Sequence, residues 1–366
     1  MLPCPGVTAS ARPFFTALLH QLEPQHPVVV VTPDLRAQES FQQDVETWLN
    51  LAAPTAASRT PDARTRTLFF PAWEVLPHED KLPPADVITD RLQTLIALYG
   101  LATAKSQPAP VVVASVTALL QKTFPPAEIQ QHTRTLQRGD PLNPLDLIEW
   151  LEDQGYEAET QVTQKGEIAL RGGILDVWPL TSPWPVRLEF FGDELESLRH
   201  FDPLTQISRE EITSINLPPA GELGILKRSE EKSSQVPPAE SGTRGTRPSA
   251  RTTPATLLDH LPPETIFLLC EPESLAASAE EYAQQIPDGD PFFRAWPDFL
   301  GELNELGFTR VELWDAAFPL TPTPSPGEKE NRSLRSGKPT AENGPDAFLE
   351  FTNEHLALGE LLRLAF

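Results

Sequence analysis

Cysteine is scarce in this chain: there are two in 366 residues, Cys4 and Cys270, far apart and in no metal-ligand spacing. That scarcity excludes a disulfide-stapled secreted scaffold and a clustered thiolate metal site. Unpaired thiols in a reducing compartment are the simple expectation. Long apolar runs are also missing, and none approaches the ~20 residues that a membrane span needs. The opening MLPCPGVTASARPFF has no long apolar core behind a basic start, so it is a poor secretory signal. A cytoplasmic location and no membrane partner are therefore expected. Basic charge is short as well. Lys+Arg 29 against Asp+Glu 52 leaves a formal charge of -23. Non-specific binding to a phosphate backbone relies on basic surface, so this balance opposes it while leaving local basic patches open.

A chain of this length can hold two or three domains, each with its own core. Residues 28–32 (VVVVT) form a β-branched, fully apolar run, as expected of a strand buried on both faces of a parallel sheet. A helical pattern follows, with Phe41, Val45 and Leu49 four residues apart. Residues 68–70 and 111–113 are further buried strands, and 90–99 are the helix between them. Strands alternating with helices predict a doubly wound α/β lobe. Residues 144–154 predict a helix with Asn143 as N-cap, Leu145, Ile148 and Trp150 or Leu151 on its apolar side, and Gly155 as its stop. Residues 265–270 (TIFLLC) are another buried strand, followed by an acidic helix over 274–285. The tracts 229–255 and 321–345 are rich in Ser, Pro, Thr and charge, cannot offset ordering entropy, and are expected to be disordered. Residues 348–366 read as a last helix.

The most informative stretch is 166–205, GEIALRGGILDVWPLTSPWPVRLEFFGDELESLRHFDPLT. Val186, Leu188 and Phe190 alternate with Arg187, Glu189 and Phe191, so one set faces a core and the other solvent. Gly192–Asp193 fits a two-residue hairpin turn. An aromatic ring beside an arginine on a solvent face matches the residue types that dominate interfaces. The plainer alternative is a hairpin with one stray exposed Phe and a surface pair between Arg187 and Glu189.

RGGILDVWP and PVRLEFFGDELESLRHFDPLTQ resemble the module shared by the bacterial transcription-repair coupling factors and the excision-repair helicase UvrB. The segment TLFFPAWEVLPHEDKLPPADVITDRLQTL is similar to the coupling factors in particular, and VVVASVTALLQKTFPP to both families. The resemblance covers roughly residues 1 to 290. It implies a degenerate P-loop (RecA-like) lobe over 1–125, split by an inserted α+β UvrB-interaction domain over 126–214 and resumed over 215–366. It implies docking to the damage-recognition protein UvrA, and by position the docking residues are Arg171, Arg187 and Phe191. Two arginines can fork onto carboxylates while a phenyl ring fills a pocket. Asp176 and Glu189 are expected to orient those arginines, and Gly172–Gly173 to permit a bulge that aims Arg171.

A phosphate-cradling loop needs GxxxxGK[ST]: glycines for backbone approach, Lys for the β/γ-phosphates and a hydroxyl for magnesium. Where UvrB carries it, this chain has Gly6 followed by Ala11 for the second glycine, Arg12 for the lysine and Pro13 for the hydroxyl. Cys270-Glu271-Pro272 stands where a motor's acidic pair would hold magnesium. The expectation is no nucleotide hydrolysis, no cofactor, no metal and no catalytic residue. His78-Glu79-Asp80 reads as a loop of solvated charges, Gly337-Lys338 as noise, and Trp73, Trp178 and Trp184 as packing residues. The chain stops at Phe366 without the RNA-polymerase-binding domain or translocase motifs through which the family engages polymerase and duplex DNA. The resemblance therefore implies a non-catalytic N-terminal portion. A UvrB-like helicase fragment with residual nucleotide or DNA binding is the alternative.

Overall fold

The computed structural model describes residues 2–52, 67–101, 108–234 and 254–315, all within one compact unit, Met1–Phe318. The chain is a mixed α/β protein with one parallel and two antiparallel sheets. The parallel sheet is built around β2 (Val28–Thr32), which is buried at every residue and flanked by β4 (Val111–Ser115) and β13 (Ile266–Cys270), equally buried. Branched side chains on both faces of a parallel sheet need cover on both sides, hence the continuous apolar runs. Beyond β4 lies β3 (Thr67–Phe70); beyond β13 lie β14 (Thr309–Trp314) and β1 (Leu2–Pro5), giving the order β1-β14-β13-β2-β4-β3. Pro3 and Pro5 fall on the edge strand β1, where a missing N–H costs no ladder bond. Helices α1 (Arg12–Leu22), α2 (Leu35–Ala52), α3 (Ala85–Leu101), α4 (Val116–Leu120), α8 (Pro272–Ala283) and α9 (Trp296–Glu305) accompany this sheet, and α5 (Pro126–Gln131) leads from it towards the antiparallel part. β1, α9 and β14 have no counterpart in the sequence reading.

Residues 134–217 make the antiparallel part. β5 (Arg134–Gln137) pairs with β12 (Ser214–Leu217). Between them come α6 (Pro144–Asp153) and a six-stranded sheet in the order β11 (Ser208–Ile212), β10 (Glu194–Phe201), β9 (Val186–Phe191), β8 (Ile174–Val177), β7 (Glu167–Arg171) and β6 (Glu157–Ala158). Asn143 caps α6 by accepting hydrogen bonds from the amides of Leu145 (2.9 Å) and Asp146 (3.4 Å). Its buried side carries Leu147 and Leu151, with Ile148 and Trp150 partly covered; Leu145, expected inside, is exposed because the helical period turns it away from the stripe of Leu147 and Leu151. Gly155 ends α6 at φ +88°, and a Cβ there would stand 2.7 Å from the Gly221 nitrogen, so no larger residue fits.

The expectation for the first polar tract needs revision at both of its borders. Helix α7 (Leu223–Ser234) runs into the first tract, and Ala255 at its other end exchanges hydrogen bonds with Thr123 at 2.7 and 2.9 Å. The rest of that tract, the whole of 321–345 (with Gly337-Lys338) and the helix expected over 348–366 lie outside the described residues.

A fully buried ion pair that composition gives no hint of ties the parallel-sheet part to the segment that follows the antiparallel sheets. Arg91 on α3 forks onto Glu222, just ahead of α7, through Nε (2.6 Å) and Nη2 (3.1 Å). Its Nη1 donates to the Pro71 carbonyl at 2.9 Å, and the guanidinium lies 4.2 Å from the Phe70 ring centroid. Glu222 also accepts from Trp73 Nε1 (2.9 Å) and Thr123 Oγ1 (2.5 Å). Buried charge is tolerated only when partnered in this way.

Two buried histidines make stability pH-dependent. Burial lowers the pKa of His20 and of His260, each opposed by a hydrogen bond to a carbonyl, Ala109 and Phe124 respectively. A base whose folded pKa is depressed contributes stability above its unfolded pKa, and that contribution is lost as pH falls below it. The urea midpoint should therefore decline once pH drops below about 6.5. A His20→Gln, His260→Gln variant should flatten that decline.

Candidate protein-docking site

The site is built on four consecutive antiparallel strands: β7 (Glu167–Arg171), β8 (Ile174–Val177), β9 (Val186–Phe191) and β10 (Glu194–Phe201). Phe191 pairs with Glu194, so Gly192–Asp193 is a two-residue turn, with Gly192 at φ +63° in its first central position. The register is set by burial: Val186 and Leu188 are fully buried and Phe190 partly so. Arg187, Glu189 and Phe191 therefore face the other way. Phe191 is 80% exposed. Arg171 pairs with Ile174, so Gly172–Gly173 form a tight turn in regular register; the expected bulge is not there.

Both arginines converge on one carboxylate. Asp176, opposite Arg187 in register, is completely buried. It takes Arg187 Nε at 2.7 Å and Nη2 at 2.9 Å, and Arg171 Nη2 at 2.5 Å. Arg187 Nη1 donates to the Gln206 carbonyl at 3.3 Å, and its guanidinium covers the buried Phe201 ring at 4.6 Å. The Asp176 hydrogen bond raises the Arg187 pKa against the opposing effect of burial, so the guanidinium stays charged. The arginines thus divide their labour in a way that sequence reasoning missed. Arg187 has its fork occupied and its side chain 14% exposed, so it is not free to fork onto a partner. Arg171, with its side chain 47% exposed, is the accessible cation. Glu189 does not orient either arginine by contact: it accepts from Ser197 Oγ at 2.6 Å and pairs with Arg199 at 3.3 Å.

The loop after β1 has its own closed geometry. The amides of Ala11 and Arg12 both donate to the Thr8 carbonyl, at 2.9 and 3.2 Å, and Pro13 has no amide hydrogen. Arg12 is buried; its Nε donates to the Val7 carbonyl at 3.1 Å and its Nη2 pairs with Glu271 at the end of β13. Glu271 also accepts from the Asp315 amide at 2.9 Å. The neighbouring Cys270 thiol is pushed up to about 12 by burial, which keeps it protonated and unreactive. Gly6 at φ +84° makes the turn out of β1 and donates to the Trp314 carbonyl.

Trp73 is buried, Trp178 packs against the small cluster of Val162, Ala169 and Phe201, and Trp184 lies under Arg209 at 3.7 Å. Residues 78–80 are a loop. No group of three or more His, Cys, Asp or Glu side chains suited to a metal occurs among the described residues, and no described helix is long and apolar enough to cross a membrane. Sequence reasoning also passed over Arg91, whose signal was present: it shares the 88, 91, 95, 98 stripe with Ile88, Leu95 and Leu98, all buried.

Residues 135–223 match the family described as the UvrB interaction domain. The chain is 32% identical over 265 residues to the transcription-repair-coupling factor of Haemophilus influenzae, covering 67% of this chain and 21% of that protein. It is 33% identical over 238 residues to that of Bacillus subtilis, covering 65% and 18%. Against the Escherichia coli protein it is 33% identical over 196 residues, covering 54% and 15%. The chain spans about one fifth of the length of the first of these relatives and less of the others. Over about two thirds of its length the chain is thus similar to the transcription-repair-coupling factors, and its residues 135–223 match the UvrB interaction domain family.

Proposed function

We propose that this chain is a non-catalytic docking module that recruits UvrA for transcription-coupled nucleotide excision repair. The observation that carries the proposal is the face of β7–β10, where an 80% exposed phenyl ring at Phe191 accompanies a half-exposed guanidinium at Arg171. An apolar anchor beside a cation held in a fixed direction is the side-chain pairing that protein interfaces favour. Arg187 contributes from beneath: it neutralises Asp176 and keeps that carboxylate aimed at Arg171. Retention of purified UvrA on the immobilised chain tests the reading, and failure to retain it contradicts it.

The remaining parts fit a supporting role. We read residues 1–125 and 215–366 as a RecA-like lobe with a degenerate nucleotide loop, and 126–214 as the docking domain set between its two segments. Gly6, Ala11, Arg12 and Pro13 stand where a phosphate loop would be. Phosphate binding there needs free helix-start amides and an available cation. The amides of residues 11 and 12 are taken by Thr8, and Arg12 is taken by Glu271. A magnesium-ATP analogue should therefore show no saturable binding by fluorescence titration, and tight magnesium-dependent binding would overturn this part. RNA polymerase and duplex DNA belong, in this reading, to other regions of the family's proteins.

A further inference from the structure

Among the described residues the four most exposed large apolar side chains are Leu204 (92%), Phe191 (80%), Leu51 (71%) and Ile207 (67%). Three of the four lie within residues 191–207. Leu204 and Ile207 belong to the loop joining β10 to β11 (Ser208–Ile212), outside the residues assigned to docking above. Scattered exposed leucines need no explanation, but concentration beside an arginine–phenyl face does.

The loop is held rigidly in place. The Asp202 carboxylate accepts from the amides of Leu204 (3.0 Å) and Thr205 (2.9 Å), and the Gln206 amide donates to the Asp202 carbonyl at 2.8 Å. Gln206 adopts φ +59°, a conformation uncommon for a residue with a side chain. Its Nε2 donates to the Pro203 carbonyl at 2.8 Å and the Val162 carbonyl at 3.4 Å. Its Oε1 accepts from Arg171 Nη2 at 3.4 Å, and its carbonyl takes Arg187 Nη1 at 3.3 Å. Gln206 therefore joins the loop to both arginines. A loop fixed by so many bonds holds Leu204 and Ile207 out of the protein's own core, and binding them to a partner would incur little further ordering cost.

We propose that the 202–207 loop is a second contact element for the same partner surface that takes Phe191 and Arg171. Leu204 and Ile207 are its apolar anchors, and Gln206 is the positioning residue that registers the loop with Arg171. The inference rests on the UvrA reading. Continuity with the arginine–phenyl face favours a single occupant: Arg187, under the loop, and Phe191 are four residues apart on β9, about 13 Å at strand rise. An interface of about 800 Å² per partner is roughly 30 Å across and spans both.

The test compares UvrA affinity for the wild-type chain, for Phe191→Ala and for the double variant Leu204→Ser, Ile207→Ser, with urea unfolding measured on each. We expect the double variant to unfold like wild type and to bind at least about tenfold more weakly. If Phe191→Ala weakens binding and the double variant does not, the loop proposal fails while the UvrA reading stands. If wild type does not bind, or neither variant changes affinity, the UvrA reading fails and takes the loop proposal with it. Gln206→Ala should weaken binding in the wild-type background and have little further effect on top of Arg171→Ala. Additive losses would refute its positioning role.

Discussion

Glu222→Ala is expected to lower the unfolding free energy by about 3–5 kcal/mol, the cost of leaving a buried charge without its partner. Arg91 has no exposed surface and donates twice to Glu222, so water cannot replace the lost carboxylate. The same substitution strands Trp73 Nε1 and Thr123 Oγ1, each a buried donor that then has no acceptor. The damage extends across the molecule. Glu222 stands just before α7, beyond the antiparallel sheets, whereas Arg91 and Trp73 follow β3 in the parallel-sheet part. Urea denaturation followed by tryptophan fluorescence reads the effect, since Trp73 lies in the network. A loss below about 1 kcal/mol would place Arg91–Glu222 among exposed pairs in energetic terms and contradict the burial argument.

Phe191→Ala is expected to weaken UvrA binding by about 2–4 kcal/mol, roughly 30-fold to 1000-fold, without changing the urea midpoint. The ring is 80% exposed, so its removal opens no cavity in the free chain. The whole loss would then come from the apolar area the ring buries on the partner. Arg171→Ala should act in the same direction through the lost charge, with Asp176 still held by the fork of Arg187. Arg187→Glu should behave differently from both. It would set a carboxylate against the buried Asp176 and remove the guanidinium over Phe201, so it should lower stability as well as binding. This separation between Arg171 and Arg187 is the consequence of the structure that the sequence could not supply.

Much of the fold could be read in advance because its signals are local. The runs VVVVT, VVVAS and IFLLC are strands for the simple reason that branched apolar residues fill both faces of a parallel sheet. Asn143 and Gly155 bracket α6 through a cap and a left-handed turn, each encoded within a few residues. The alternation in PVRLEFFGD gave the facing of Arg187 and Phe191 correctly. What stayed hidden is long-range. Asp176, five residues from Arg171 and eleven from Arg187, serves both only because two hairpin registers bring three strands together. Glu222 is 131 residues from Arg91, and Arg12 is 259 from Glu271. No spacing rule reaches that far. The sequence predicts that Glu189 orients Arg171 and Arg187, whereas cross-strand geometry hands it to Ser197 and Arg199.

The most direct measurement is a calorimetric titration of purified UvrA into the wild-type chain and, in parallel, into Phe191→Ala and Arg171→Ala. Saturable one-to-one binding by wild type, cut at least 30-fold in both variants while their unfolding curves overlay the wild type, is the expected result. Equal affinity in all three, or no heat with the wild type at tens of micromolar, would mean that the exposed phenyl and guanidinium on this sheet are not where UvrA docks.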